Sequence, residues 1–259
     1  MSRIESLAGL RPGDIMFGPI GGAAGVGVGL GQLVLGEGFS VGPLSVRHVG
    51  IVVEASSSLG PAVRDDRTGH YTELGPNIDP HQFTPAGATV YPTGVITTPR
   101  LVQAMPGGAE EIEMTADTHW TDRHAYARLP EDYPGQAADA AAIARLMVAA
   151  GVAYSWASYA ALAAWKFGLS TPRLESWIGR RQDPRSITMP ASHTPFISEG
   201  FRLPVEAICS VLADQSWSLA GKKVMTGVPH QCVTPGALAR QLLFRTEGVE
   251  WAFPGQAGR

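Results

Sequence analysis

The sequence is poor in cysteine and lacks any long apolar run. Its 259 residues include two cysteines, Cys209 and Cys232. Two cysteines in a chain of this length do not make a disulfide framework, so nothing calls for an oxidising compartment. No stretch reaches the roughly 18 uninterrupted apolar residues of a membrane-spanning helix. The first residues also lack the basic segment and apolar core of a Sec signal. We therefore expect synthesis in the cytoplasm and no integral membrane segment.

The charge is low and dispersed. The formal net charge is -3 and the sequence pI is about 6.2. Lysine and arginine are scattered, which argues against nucleic acid as a partner. Glycine (31) and proline (20) are abundant and indicate many loops, while the 44% hydrophobic content is too high for a disordered chain. We expect a single folded domain over residues 1–259.

The predicted elements divide the chain into two halves. Short β-branched or alternating segments predict strands in the first half, and alanine-rich periodic segments predict helices in the second. The fold class is therefore α+β, with an antiparallel sheet from the N-terminal half packed against helices from the C-terminal half. Strands are predicted at 15–17, 47–54, 101–105, 111–114 and 124–129. Helices are predicted at 134–150, 156–167, 205–220 and 234–240.

Two long irregular regions interrupt this pattern, at about 55–100 and 169–203, and we interpret them as insertions. The first is expected to be β-rich or loop-like and to lie at the rim. It contains His70, Glu73, Asp79 and His81, whose spacing matches no metal-ligand pattern. We expect these four to be solvated loop residues, and we predict no metal and no cofactor. The glycine-rich segment 18–42 is interpreted as a close-packed crossover, or as an apolar wall or lipid-facing surface beside a site.

His48 and Cys209 are the candidate chemical groups. His48 opens an apolar predicted strand, where a histidine satisfied within the core is the plainer interpretation. Cys209 lies near the start of a predicted helix, where backbone amides and the helix dipole lower a thiol pKa and can stabilise an oxyanion. His48 would serve as its base if the helix crosses the strand, and Gln103 would hold the imidazole. Cys232 lies in a turn-like segment without these features.

The order of short motifs resembles a known family. It is similar to NlpC-type papain-like cysteine hydrolases in their circularly permuted branch, which includes YiiX/YaeF-like proteins and lecithin:retinol acyltransferase-like enzymes. The resemblance covers roughly half of the chain, and each motif alone is weak. The segments that carry it are 11–17 (RPGDIMF), 48–52 (HVGIV), 101–104 (LVQA), 151–156 (GVAYSW), 208–212 (ICSVL) and 234–238 (TPGAL).

The resemblance implies a permuted papain-like fold with Cys209 as nucleophile, His48 as general base and later acid, and Gln103 as the orienting residue. It also makes Tyr154 and Ser210 candidates for the substrate site or oxyanion site. Glutamine departs from the histidine or glutamate more usual at the third position.

The implied function is a hydrolase that cleaves an amide bond, with cell-wall peptide as the substrate class. A phage-encoded enzyme, carried by the particle or released to the wall, would have a route to that substrate. Two alternatives stay open: a lipid-directed acyltransferase or hydrolase, and a papain-like binding or structural module of a larger assembly.

Overall fold

The computed structural model describes residues 4–20, 39–41, 44–83, 85–155, 185–186, 202–204, 206–226 and 233–254. Within these residues the chain is a mixed α/β protein with a mostly antiparallel sheet and a few helices. The strands are β1 (Ile15–Gly18), β2 (Ser40–Val41), β3 (Leu44–Ser45), β4 (His48–Glu54), β5 (Ser58–Leu59), β6 (Ala62–Asp65), β7 (Tyr71–Glu73), β8 (Ala88–Tyr91), β9 (Val95–Ile96), β10 (Arg100–Met105), β11 (Gly108–Glu113), β12 (Ala125–Arg128), β13 (Ala153–Tyr154), β14 (Arg185–Ser186), β15 (Arg202–Leu203), β16 (Glu206–Ala207) and β17 (Glu250–Ala252). The helices are α1 (Ala116–His119), α2 (Gln136–Ala149), α3 (Cys209–Leu219) and α4 (Pro235–Phe244), with a 3-10 turn at Leu7–Gly9.

The central sheet has the strand order β11-β10-β4-β1-β12-β17, and every neighbouring pair is antiparallel. Strand β4 lies inside the sheet, between β1 and β10, and its first six residues are buried. A run of valine and isoleucine suits this position because both faces of the strand are covered. In the register, His48 lies opposite Gly18, and Gly50 lies opposite Gln103.

The two faces of the sheet are covered by different parts of the chain. Helices α2 and α3 pack against β4 on one face, where Val49 and Ile51 join the main hydrophobic core. Alternation along the strand sends Val52 to the other face, into a smaller cluster that includes Tyr126 and the N-terminal Leu10. The helix face therefore holds most of the core.

Most of the predicted elements are confirmed, including the five strands of the first half, helix α2 and helix α4. Thr234 caps α4, since its Oγ1 accepts a hydrogen bond from the amide of Ala237 at 3.0 Å. Strands β5 to β9 confirm a β-rich first insertion, in which β6 pairs with both β7 and β8. The predicted helix at 156–167, most of the second insertion and residues 21–38 of the glycine-rich segment lie outside the described residues.

Two element predictions are wrong. Helix α3 begins at Cys209 and not at Val205, because residues 206–207 form β16, which pairs in parallel with β13. The sheet is also not confined to the N-terminal half, since β17 adds an edge strand next to β12. Three residues are too few for a periodic signal, so sequence reasoning missed this strand. In the described ranges, no helix is long and apolar enough to cross a membrane.

A buried ion pair joins distant segments at one end of the sheet. The guanidinium of Arg128 donates to both carboxylate oxygens of Asp14, at 2.9 and 2.7 Å, and also to the carbonyl of Gly9 at 2.7 Å. Asp14 is only 2% exposed, and it also accepts from the amide of Arg11, which closes the turn before β1. Glu250 of β17 lies 3.7 Å from the same guanidinium. One side chain of β12 thus holds the N-terminal turn and the C-terminal strand.

We expect Asp14→Ala to lower the free energy of unfolding by about 3–5 kcal/mol. The substitution removes the main partner of the Arg128 guanidinium, which stays charged because it cannot deprotonate. Chemical denaturation measures this loss. Asp132→Ala is the matched control: it removes the partner of Lys222 in an exposed ion pair and should cost less than about 1 kcal/mol. Equal losses for the two variants would contradict the structural role of the buried pair.

Candidate active site

The predicted contact between His48 and Gln103 is present. His48 is the first residue of β4 and is 3% exposed, and its Nε2 lies 2.7 Å from Oε1 of Gln103 on β10. Gln103 faces Gly50 across the ladder, so it lies diagonally to His48, within reach of long side chains. The imidazole is therefore held from the neighbouring strand.

Gln103 has a second partner that sequence reasoning missed. Its Nε2 donates to Oε1 of Glu110 at 2.8 Å. Glu110 lies on β11, directly opposite Gln103 in the ladder. The tight turn at Pro106 and Gly107 sets this register, so a hairpin drawn from the sequence would have paired the two residues. His48, Gln103 and Glu110 form a continuous hydrogen-bonded chain that runs from a buried ring to an exposed carboxylate.

Cys209 is the first residue of α3 and is 1% exposed. The backbone amides of Val49, Ser210 and Cys209 itself face its sulfur and favour the thiolate. Val49 follows His48, so the thiol lies against the peptide unit that carries the imidazole. No hydrogen bond joins the sulfur to the ring, and Nδ1 of His48 has no hydrogen-bond partner among the described residues. The structure thus brings the two groups to one peptide without bonding them to each other.

Burial controls the protonation of both groups. It raises the pKa of Cys209 to about 11, although the three amides act in the opposite direction. The expected lowering of this pKa at the helix start is therefore wrong for this closed arrangement, because desolvation outweighs the amides. Burial also lowers the pKa of His48 to about 4, against the opposing effect of the bond to Gln103. Near pH 7 the site contains a neutral thiol and a neutral imidazole.

Tyr154 and Ser210 lie close to Cys209 in the chain fold. Tyr154 is 7% exposed and pairs with Ala207, two residues before the cysteine. The Ser210 hydroxyl donates to the carbonyl of Val233 at 2.7 Å, which ties α3 to the segment before α4. Its backbone amide, and not its hydroxyl, is the group that reaches the sulfur of Cys209.

A second buried histidine, His124, lies beside the first. His124 is 8% exposed, and its ring lies over Gly18, where a Cβ atom would come within 2.5 Å of its Cδ2. Gly18 is the residue opposite His48, so glycine leaves the room that the His124 ring occupies. Burial lowers the pKa of His124 to about 4, and the nearby His119 acts in the same direction.

The four residues considered as metal ligands in the first insertion, His70, Glu73, Asp79 and His81, are all exposed. In the described part of the chain, the acidic and histidine side chains close enough to share an ion are instead Glu54, His70 and Glu111. Both carboxylates of that group are engaged by arginine: Arg145 contacts Glu54 and Glu111, and Arg100 contacts Glu111 at 2.7 Å. These contacts form an ion-pair network that ties helix α2 to strands β4, β10 and β11.

A cavity of about 300 Å³ lies at the opposite end of β1 from His48, next to Asp14, Arg128 and Trp217. Its polar groups are bonded to protein: Arg128 binds Asp14, and Trp217 Nε1 donates to the carbonyl of Gly13 at 3.1 Å. The indole contact anchors the far end of α3, which begins at Cys209. The cavity is thus a feature of the scaffold behind the site.

Comparison of the chain with protein-family models, with curated proteins and with solved structures finds no match. Geometry defines the groups that can react, whereas fold alone does not define a function.

We expect the rate of Cys209 alkylation by iodoacetamide to rise about tenfold per pH unit between pH 7 and 10, because the thiolate is the reactive form and the thiol pKa is raised. The Cys232→Ser background leaves one thiol, and mass spectrometry measures the rate. The same protein in denaturant is the control and should level off near the ordinary cysteine pKa of about 8.5. A plateau between pH 5 and 8 in the folded protein would instead show a thiolate–imidazolium pair.

Proposed function

We propose that this chain is a cysteine-dependent hydrolase of the permuted papain-like type, which cleaves an amide bond through an acyl-enzyme. One observation carries the proposal. A buried imidazole is held through Nε2 and keeps an unpaired Nδ1, and the backbone amide of the next residue, Val49, acts on the buried thiol of Cys209. A buried polar atom without a partner is costly, and such atoms call for an explanation beyond packing. A proton-transfer role for Nδ1 supplies one.

The chemistry follows from the neutral pair. Cys209 Sγ attacks the substrate carbonyl carbon while its proton passes to Nδ1 of His48, and a carbon–sulfur bond forms. His48 then returns the proton to the leaving nitrogen as the carbon–nitrogen bond breaks. A water molecule, deprotonated by His48, next attacks the thioester and releases the acid and the thiol. Proton transfer during attack requires no stable thiolate, which fits the raised thiol pKa.

The start of α3 supports the charged intermediate. The amides of Cys209 and Ser210 lie at the N-terminus of an 11-residue helix and already approach the sulfur. Backbone amides at the positive end of a helix dipole favour a developing oxyanion at this place. Sulfur and ring are both nearly inaccessible, so the site must open for substrate and bring Nδ1 against the thiol.

The substrate class comes from the motif resemblance. Cell-wall peptide is the proposed substrate, and a phage particle or release to the wall is the proposed route. The apolar segment that suggested a lipid substrate lies largely outside the described residues. A lipid-directed enzyme and a structural module are the alternatives to the peptide hydrolase. Cys209, His48 and Gln103 are the groups that amide hydrolysis would use, so we favour an amide hydrolase.

We expect Cys209→Ala and His48→Ala to abolish release of new amines from purified peptidoglycan. Gln103→Ala should reduce it about 10- to 100-fold, which is less than the roughly 10²–10⁴-fold contribution of an acid–base group because Gln103 only orients the imidazole. In the wild type, activity should be retained from neutral pH down towards pH 4, because His48 acts in its neutral form and its pKa is about 4. The measurement is an amine assay of the full chain across this pH range.

Glu247→Gln, on an exposed turn after α4, is the control and should leave the rate unchanged. Phospholipid vesicles assayed for released fatty acid form the second arm. Fatty-acid release that depends on Cys209 would replace the peptide proposal with the lipid one. Unchanged amine release in both Cys209→Ala and His48→Ala would end the enzymatic proposal.

A further inference from the structure

The hydrogen-bonded chain behind His48 ends on a surface carboxylate with no role in the chemistry proposed above. We infer that Glu110 is a positioning residue that selects the tautomer of His48 by deciding which end of the Gln103 amide faces the ring. The inference deepens the proposed function and rests on it for its catalytic meaning, whereas the tautomer itself can be measured without any activity.

Glu110 fixes the orientation of the Gln103 side-chain amide. A primary amide donates through nitrogen and accepts through oxygen, and the reverse orientation of the group would fill nearly the same space. An ionised carboxylate only accepts, so Glu110 draws the Gln103 nitrogen towards it, at 2.8 Å. The oxygen must then face His48. A hydrogen bond to a charged group favours this orientation by roughly ten- to hundredfold.

The orientation of Gln103 in turn fixes the tautomer of the His48 ring. Since Gln103 presents an oxygen at 2.7 Å, Nε2 of His48 has to carry the hydrogen. A neutral ring has one hydrogen, so Nδ1 keeps its lone pair, and burial holds the ring neutral. The next residue, Val49, supplies a backbone amide that acts on the thiol of Cys209. In the opposite tautomer Nδ1 would be a donor and unable to accept the thiol proton.

Position and exposure make Glu110 a separable part of the site. It is exposed, while Gln103 and His48 are buried. The ladder pairs Glu110 with Gln103 directly, and no residue lies between them. Substitutions at position 110 can therefore reverse the donor and acceptor directions along the His48–Gln103–Glu110 hydrogen bonds without disturbing the core.

The decisive variant is Glu110→Lys, because an ammonium group only donates. It should draw the Gln103 oxygen outward, turn the amide nitrogen towards Nε2 and transfer the ring hydrogen to Nδ1. We expect the ¹⁵N shifts of the His48 ring, assigned with His48→Gln, to exchange their protonated and unprotonated positions. Amine release from peptidoglycan should fall at least tenfold. Glu247→Lys, on an exposed turn, makes the same charge change and should alter neither signal.

A swap of the two side chains tests the direction of the effect. In Gln103→Glu/Glu110→Gln, a carboxylate at 103 accepts from Nε2, and the amide at 110 donates to that carboxylate. The Nε2–H tautomer and the activity should both be restored to within about threefold of wild type, within the context dependence expected of one hydrogen bond. A role for Glu110 in stability alone would not predict this rescue.

Wild-type tautomer in Glu110→Lys would overturn the inference, and so would an Nδ1–H tautomer in the swap variant. If the tautomer follows the prediction but the wild type hydrolyses neither peptidoglycan nor lipid, the positioning role stands and the proposed function fails. If the tautomer is unaffected while Cys209→Ala abolishes hydrolysis, the proposed function stands and the role of Glu110 fails.

Discussion

The structure depends on burying strand β4 from every side. Both edges of β4 are paired, to β1 and β10, and both of its faces are covered. Any polar side chain on such a strand loses water and must find protein partners, or remain unsatisfied. His48, at the first position of β4, does both: Nε2 bonds to the adjacent strand, while Nδ1 does not bond. The unpaired Nδ1 on which the proposed function rests follows from this constraint.

Desolvation has opposite consequences for the two reacting groups. It favours the neutral form of each, so the thiol pKa rises and the imidazole pKa falls. A separated thiolate and imidazolium is thus disfavoured in the closed site, and in the proposed mechanism the proton moves during attack. In that proposal the amides at the start of α3 stabilise a developing negative charge and not a resting one.

Strong local signals predicted much of the fold. The valine- and isoleucine-rich β4, the alanine-rich α2 and the Thr234 cap of α4 all carry their patterns within a few residues. Strands of two or three residues carry no such pattern, so the sequence predicts the residues of β16 as part of a helix and does not predict β17. The pairing of His48 with Gln103 was predictable from the motif order, but Glu110 required the register of a hairpin.

The sequence by itself determined the residue types and their order: a histidine opening an apolar strand, a glutamine in a second strand and a cysteine before a helix. Those residue types are the ones that the proposed thiol–imidazole chemistry would use. Only the tertiary structure decided how far each group is buried, which reversed the expected direction of the thiol pKa shift. It also decided that His124 is buried and that Gln103 bridges to Glu110, because burial and strand register arise from contacts between distant parts of the chain.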